Sequence, residues 1–505
     1  MNKSRSKQAV INTGCELAYE FLLAICNFIL PRLILVHFGS AYNGITQSIT
    51  QFIGCIALLQ SGIGGVTRAA LYGPLSKKDQ IGISEVVNAT AQFMRKIALI
   101  FAVATIGFAA LYPFLVSDDF SWFFTFTLVI ILSVSTFAQY FFGITYLMVL
   151  KADQKMYIIS LVQIATTIAN TIISALLILA GFGIHGVKLG SAIVFIIPPL
   201  FYNLYVTKQY RIDKKVRPKL ELLSQRWDAF GHQIANFINN NTDIMVITVI
   251  LGVREVSVYS VHYMIGNAIK KVVMALGSGM SAAFGNMLAK EETKIIKKRF
   301  DQFEIVIFYA ATTLVVITAI MITPFISVYT KGITDVNYIR TVFGYLISIA
   351  IYFGCLKIPY EELIYAAGHF KNTRNGAFVE AGINIILSIF LAMFIGLNGV
   401  VIGTFVAMAY RTVRYYFYVC QNLIDKPKHA IFIKMLYSLV TAAITFSISR
   451  LLPLNDISGY IEWAGWASAV AVITIVVSTV MGLIFFGEQM TGTLKYVIKI
   501  FARKR

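Results

Sequence analysis

Long apolar stretches, each crossed only sparsely by polar residues, recur along nearly the whole chain. A helix that spans a bilayer needs about 20 predominantly apolar residues. By that rule fourteen spans are expected, near 10–36, 43–67, 93–115, 121–148, 156–180, 184–207, 229–251, 256–284, 303–328, 339–366, 375–395, 398–420, 431–452 and 461–486. The polar residues inside them keep helical spacing. On the first span Asn12, Glu16, Glu20 and Asn27 fall on one face, and on the seventh His232, Asn236, Asn239, Asn240 and Asp243 do the same. On the eighth, Tyr259, Tyr263, Asn267 and Lys271 are spaced by four, with Lys270 adjacent. These faces are unsuited to lipid and predict a hydrated cavity lined by both halves of the chain; interhelical hydrogen bonding is the alternative reading.

The halves are related. Residues 24–71 resemble residues 237–284 at a constant offset of 213, which aligns Asn27 with Asn240, Gly39 with Gly252, Gly64 with Gly277 and Ala69-Ala70 with Ala282-Ala283. The same offset aligns the stretch from Gly183 to Gly190 with that from Gly396 to Gly403. Duplication of this kind is the signature of a two-lobed transporter, because alternating access needs two bundles that rock about a site. The expected organisation is a six-helix lobe at 1–207, a basic linker at 208–228, a second six-helix lobe at 229–421, and two additional helices with a basic tail at 422–505. Six is even, so the repeats are parallel and related by a pseudo-twofold axis along the membrane normal.

Composition agrees with an all-α membrane protein. Hydrophobic residues make up 58% of the chain and charged residues 13%, with a mean hydropathy of +0.74, which excludes a soluble globule. The formal charge of +19 is distributed by topology: with a cytoplasmic N-terminus, 34 of the 43 Lys and Arg fall on inward segments and their flanks. That is the positive-inside pattern, with both termini cytoplasmic, and it leaves no gathered basic face for nucleic acid. The segment from Ala289 to Phe300 reads as a short amphipathic helix on the bilayer surface. Met1 to Lys7 leads into a long segment carrying Glu16 and Glu20, so no cleavable signal peptide is read. The five cysteines show no paired spacing, so neither a disulfide framework nor a metal site is expected, and no phosphate-binding glycine loop points to ATP. The outward loops are too short to house a catalytic apparatus; a transporter without cofactor, not an enzyme, is expected.

A charge at mid-membrane costs about 2.5–3.5 kcal/mol on the translocon scale, so each intramembrane ion is a functional candidate. Lys270 and Lys271, with Arg32 after Pro31, suggest a cationic site for a phosphate-bearing substrate. Neutralisation by Glu16, Glu20 or Asp243 is the competing reading. Lys357 and Glu361, one turn apart, read as a local ion pair, and Glu304, Glu362 and Glu380 as wet residues at cytoplasmic ends.

The run Phe38-Gly39-Ser40-Ala41-Tyr42-Asn43-Gly44, continuing to Gln47-Ser48-Ile49 and Ser61-Gly62-Ile63-Gly64-Gly65, resembles the start of bacterial polysaccharide transporters of the multidrug/oligosaccharidyl-lipid/polysaccharide flippase superfamily. Similar stretches are Leu150 to Lys155, Gly368 to Arg374 and Glu380 to Asn384, so the resemblance spans the chain. It implies two six-helix lobes with the first, second, seventh and eighth helices lining a cavity, and Asn43, Gln47 and Gln51 then supply amides for sugar hydroxyls. It also implies movement of undecaprenyl-pyrophosphate-linked oligosaccharide across the bacterial inner membrane for surface polysaccharide synthesis. Polysaccharide assembly proteins are candidate partners. H+ or Na+ is the candidate coupling ion, with Glu16, Glu20 and Asp243 as its carboxylates. A cation-coupled multidrug exporter and a lipid II flippase are the alternatives on the same fold.

Overall fold

The computed structural model describes residues 2–60, 63–116, 119–219, 221, 241–277, 280–290, 293–454 and 457–502. They form helices joined by short turns: α1 (Asn2–Phe38), α2 (Ser40–Ile56), α3 (Ile63–Lys77), α4 (Gln80–Leu111), α5 (Trp122–Ala138), α6 (Ile144–Ala152), α7 (Met156–Leu179) and α8 (Ile184–Gln209). After α9 (Asn241–Ile250) come α10 (Val253–Gly277), α11 (Met280–Ala289), α12 (Thr293–Tyr329), α13 (Thr341–Leu356), α14 (Ile358–Ala366), α15 (Phe370–Ile395), α16 (Leu397–Asn422), α17 (Ala430–Ser449) and α18 (Tyr460–Ala502).

Ten of the described helical segments are long and apolar enough to cross a membrane, and the chain is a multi-pass membrane protein. The four other expected spans, 43–67, 229–251, 256–284 and 398–420, fall short of that measure for identifiable reasons. The first breaks: α2 ends at Ile56, a 3-10 turn runs from Ala57 to Gln60, and α3 starts at Ile63. Much of 229–251 lies outside the described residues. The third carries Lys270 and Lys271, and the fourth carries Arg411 and Arg414. One expectation is corrected outright. The basic segment read as a separate surface helix supplies the first turns of α12, with Ile296 and Phe300 buried, because its apolar positions pack into the core that α12 builds.

The chain divides into two compact units, Met1–Ser257 and Val258–Arg505. In the first, α7 packs on α1 and α8, α8 on α5, α4 on α5, and α3 on α6. Its core gathers Ile45, Ile49, Phe101, Leu128, Val149 and Leu150, all nearly inaccessible. In the second, α16 packs against α15 and α13, and α12 against α13, α17 and α18. Its core centres on Phe284, Phe300, Phe308, Tyr360 and Tyr416.

Two glycines aligned by the 213-residue offset hold matching conformations. Gly39, before α2, has φ 90° and Gly252, before α10, has φ 86°. That left-handed region strains any residue with a Cβ and lets the chain turn sharply into the next helix. Close approach is the second use of glycine: in the α15–α16 hairpin a Cβ on Gly399 would stand 2.3 Å from the Leu391 carbonyl oxygen, and one on Gly403 would stand 2.5 Å from Ser388 Oγ. Such small residues four apart let transmembrane helices touch backbone to backbone.

Candidate functional site

Lys270 lies in the second half of α10 and runs beside Gly354 of α13; a Cβ on that glycine would lie 4.0 Å from Lys270 Cε, in ordinary contact. Its charged neighbours are Lys357, Glu361 and Glu380. Lys357, at the junction of α13 and α14, faces Glu361, Glu380 and Arg411. The Tyr365 hydroxyl donates to Glu361 Oε1 at 2.7 Å. Arg411 of α16 sets its Nε 3.6 Å from Glu380 Oε2 of α15. The same guanidinium donates to the Tyr415 hydroxyl and stacks over that ring, 4.1 Å from its centroid.

Lys270, Lys357 and Arg411 thus share one buried region with Glu361 and Glu380, three basic side chains against two acidic ones. Burial of ions is tolerable only when they are paired and hydrogen-bonded. Glu361 is hydrogen-bonded by Tyr365 and Glu380 is paired with Arg411, and the group as a whole carries an excess of positive charge suited to an anionic ligand.

The expected residues distribute as follows. On α1, Glu16, Glu20 and Asn27 are exposed, and Arg32 is partly buried behind Pro31. Asn12, on the same face, accepts from the Tyr157 N–H at 2.9 Å and donates to the Gln154 carbonyl at 2.7 Å, which caps the start of α7. On α2, Gln47 and Gln51 are partly buried. Asn43 is 1% exposed and donates to Ser257 Oγ at 2.8 Å, so its amide is engaged in packing. His232, Asn236, Asn239 and Asn240 lie outside the described residues. Asp243 is buried on α9. On α10 the Tyr259 and Tyr263 rings stack at 5.5 Å; Tyr263, Asn267 and Lys270 are partly buried, while Lys271 is exposed. The adjacent lysines therefore diverge, as the 100° step of a helix requires.

Three features went unread or were misread in the sequence. Glu380 and Glu304 are not wet: they are 4% and 0% exposed. Arg411, counted with the cytoplasmic flank, is buried beside Glu380. The signal was available, since Glu380 stands sixteen residues before Gly396 and Arg411 fifteen after it, which sets opposite charges at one depth of a helical hairpin. Glu304 of α12 forms a second cluster, with Lys434 Nζ 2.5 Å from its Oε2, Lys426 paired to it as well, and the Tyr360 hydroxyl donating to Oε1 at 2.7 Å. Lys426 also meets Asp301 at 2.6 Å. In its loop before α17, burial pushes the Lys426 ammonium down, but Glu304 and Asp301 outweigh burial and hold it above the ordinary lysine value. This cluster binds α17 to α12. Among the described residues no group of acidic, histidine and cysteine side chains is arranged to hold a metal ion.

Neither a protein-family model nor a curated protein matches the chain. Solved structures do. A lipid II flippase, MurJ, in an inward closed conformation is similar with a TM-score of 0.71 over 93% of this chain and 98% of its own, at 16% identity. An inward-facing multidrug resistance transporter of the MATE family and the MOP superfamily gives a TM-score of 0.59 at 12% identity, covering 79% and 95%. A mutant of the Vibrio cholerae MATE transporter VcmN gives 0.55 at 16% identity, covering 85% and 99%. At these identities the likeness speaks to architecture alone, and by that measure the chain has the fold of MOP-superfamily transporters.

Proposed function

We propose that this chain is a flippase that moves an undecaprenyl-pyrophosphate-linked oligosaccharide between membrane leaflets. The observation that carries the reading is the cationic excess at Lys270, Lys357 and Arg411, which together outnumber Glu361 and Glu380. A cationic drug would be repelled by that field; a pyrophosphate would be drawn to it. Lys270 and Lys271, with Arg32, are the proposed pyrophosphate ligands. Asn27, Gln47, Gln51, Tyr263 and Asn267 are proposed for the glycan, together with His232, Asn236, Asn239 and Asn240; Asn43 would join them only on release from Ser257. Glu16, Glu20 and Asp243 are the proposed coupling carboxylates, with H+ or Na+ as the ion. The fourteen spans, the parallel two-lobe repeat, the cytoplasmic termini and the bacterial inner membrane location belong to the same proposal.

Likeness to a lipid II flippase favours lipid II as the second reading, since it presents the same polyprenyl pyrophosphate to the same cations. The test is leaflet translocation in proteoliposomes that hold the intact chain, with labelled undecaprenyl-pyrophosphate oligosaccharide, lipid II and a lipophilic cation supplied in turn. Movement of the oligosaccharide is expected. Movement of lipid II alone favours the second reading, and movement of the cation alone overturns both.

A further inference from the structure

The first unit holds a cavity of about 180 Å³ walled by α1, α5, α7 and α8, all four of them within apolar spans. No acidic, basic or histidine side chain lines it. Its polar wall is made of Ser135 and Thr136 of α5, Gln139 just beyond, Gln163 and Thr167 of α7, and Tyr19 of α1. The Tyr19 and Thr167 side chains lie beside each other. Those of Ser135, Thr136, Gln139 and Gln163 make no hydrogen bond among the described residues. Gln139 is exposed and the other three are partly buried, so two amides and two hydroxyls are open to one space within apolar spans, where lipid offers them no partner.

The backbone is shaped to make this space. Between α5 and α6 the helix widens into a π turn from Gln139 to Gly143, a rare form that recurs at functional sites. Gly143 lies against Pro199 of α8, where a Cβ would come within 2.8 Å of Pro199 Cβ. Pro198 and Pro199, inside α8, also withhold the helical donors of the Val194 and Phe195 carbonyls.

We infer that this cavity is a binding subsite for one uncharged, polyhydroxylated ring, a neutral sugar residue. Amides and hydroxyls offer both donors and acceptors, as sugar hydroxyls require, and the absence of charged lining disfavours an ionic ligand. The volume equals about six waters' share of the liquid, close to that of a single hexose. Tyr19 and Tyr202 also line the space, and an aromatic ring offers a sugar's C–H face an apolar surface. The assignment of that sugar to a lipid-linked glycan rests on the flippase reading; a free sugar is the other source.

The test uses the full chain in lipid nanodiscs carrying Ser135→Cys, with alkylation of that thiol followed by peptide mass spectrometry. A neutral methyl hexoside or N-acetylhexosamine is expected to slow alkylation, about tenfold at about ten times its Kd, while hexuronate at equal concentration leaves the rate unchanged. Adding Gln139→Leu and Gln163→Leu is expected to abolish protection. Equal rates with every sugar, or equal protection by hexuronate, overturn the subsite. Translocation of lipid-linked oligosaccharide by the intact chain is scored separately. Protection without translocation keeps the subsite as a free-sugar site and overturns the flippase reading. Translocation with no protection, and unchanged in the Gln139→Leu, Gln163→Leu protein, does the reverse.

Discussion

Arg411 of α16 and Glu380 of α15 meet at 3.6 Å while 7% and 4% exposed. Removing one member of a buried pair strands the other charge, at a cost of about 3–5 kcal/mol. Arg411→Ala is therefore expected to lower the thermal unfolding midpoint markedly in nanodiscs. Arg411→Met combined with Glu380→Leu should recover most of the loss, because the apolar pair leaves no stranded ion. A single variant as stable as the parent would contradict the pairing.

The Glu304 cluster makes a prediction about pH. The Lys426 ammonium is held above its ordinary value by Glu304 and Asp301 against the effect of burial. A raised lysine contributes fully below the unfolded value of about 10.4 and loses its contribution only as pH climbs through the folded value. Lys426→Met should thus destabilise the protein by the same amount at pH 6 and at pH 7, as read from paired denaturation curves. A penalty that fades between those pH values would show that the ammonium is not held in this way.

Close packing at α2 can be tested by contrast. A Cβ on Gly44 would stand 1.7 Å from the Val253 carbonyl oxygen, whereas one on Gly65 meets nothing within 4 Å. Gly44→Ala should destabilise by about 1–3 kcal/mol or more through overpacking. Gly65→Ala, in the open face of α3, should be neutral or gain up to about 1 kcal/mol from helix propensity. Equal melting midpoints for the two variants would refute the close approach.

Much of this architecture was legible because membrane helices advertise themselves by apolar length, and the expected termini of the 156–180, 184–207 and 375–395 spans lie close to those of α7, α8 and α15. Broken helices were less legible. Within 43–67 the cluster of Gly62, Gly64 and Gly65 marks a break, but it lies beyond Ile56, at which α2 stops. For the site, periodicity found Lys270 but not its partners. Lys357, Glu361, Glu380 and Arg411 come from three helices beyond α10 and from the α13–α14 junction, and only the α15–α16 hairpin brings the last two together. Spacing within one helix cannot report contacts made between helices. Asn12 and Asn43 show the converse: polar residues on a helical stripe that serve as a cap and as interhelical glue.

The central claim is that Lys270 belongs to a cationic site for a polyprenyl pyrophosphate. Its most direct test is leaflet translocation of labelled undecaprenyl-pyrophosphate oligosaccharide in proteoliposomes, comparing the intact chain with Lys270→Ala, Lys271→Ala at matched protein levels and unfolding midpoints. Loss of one charge-assisted contact to phosphate, worth about 1.5–3 kcal/mol, predicts a rate lower by about tenfold to a hundredfold. Translocation at the intact chain's rate by a folded double variant would contradict the account.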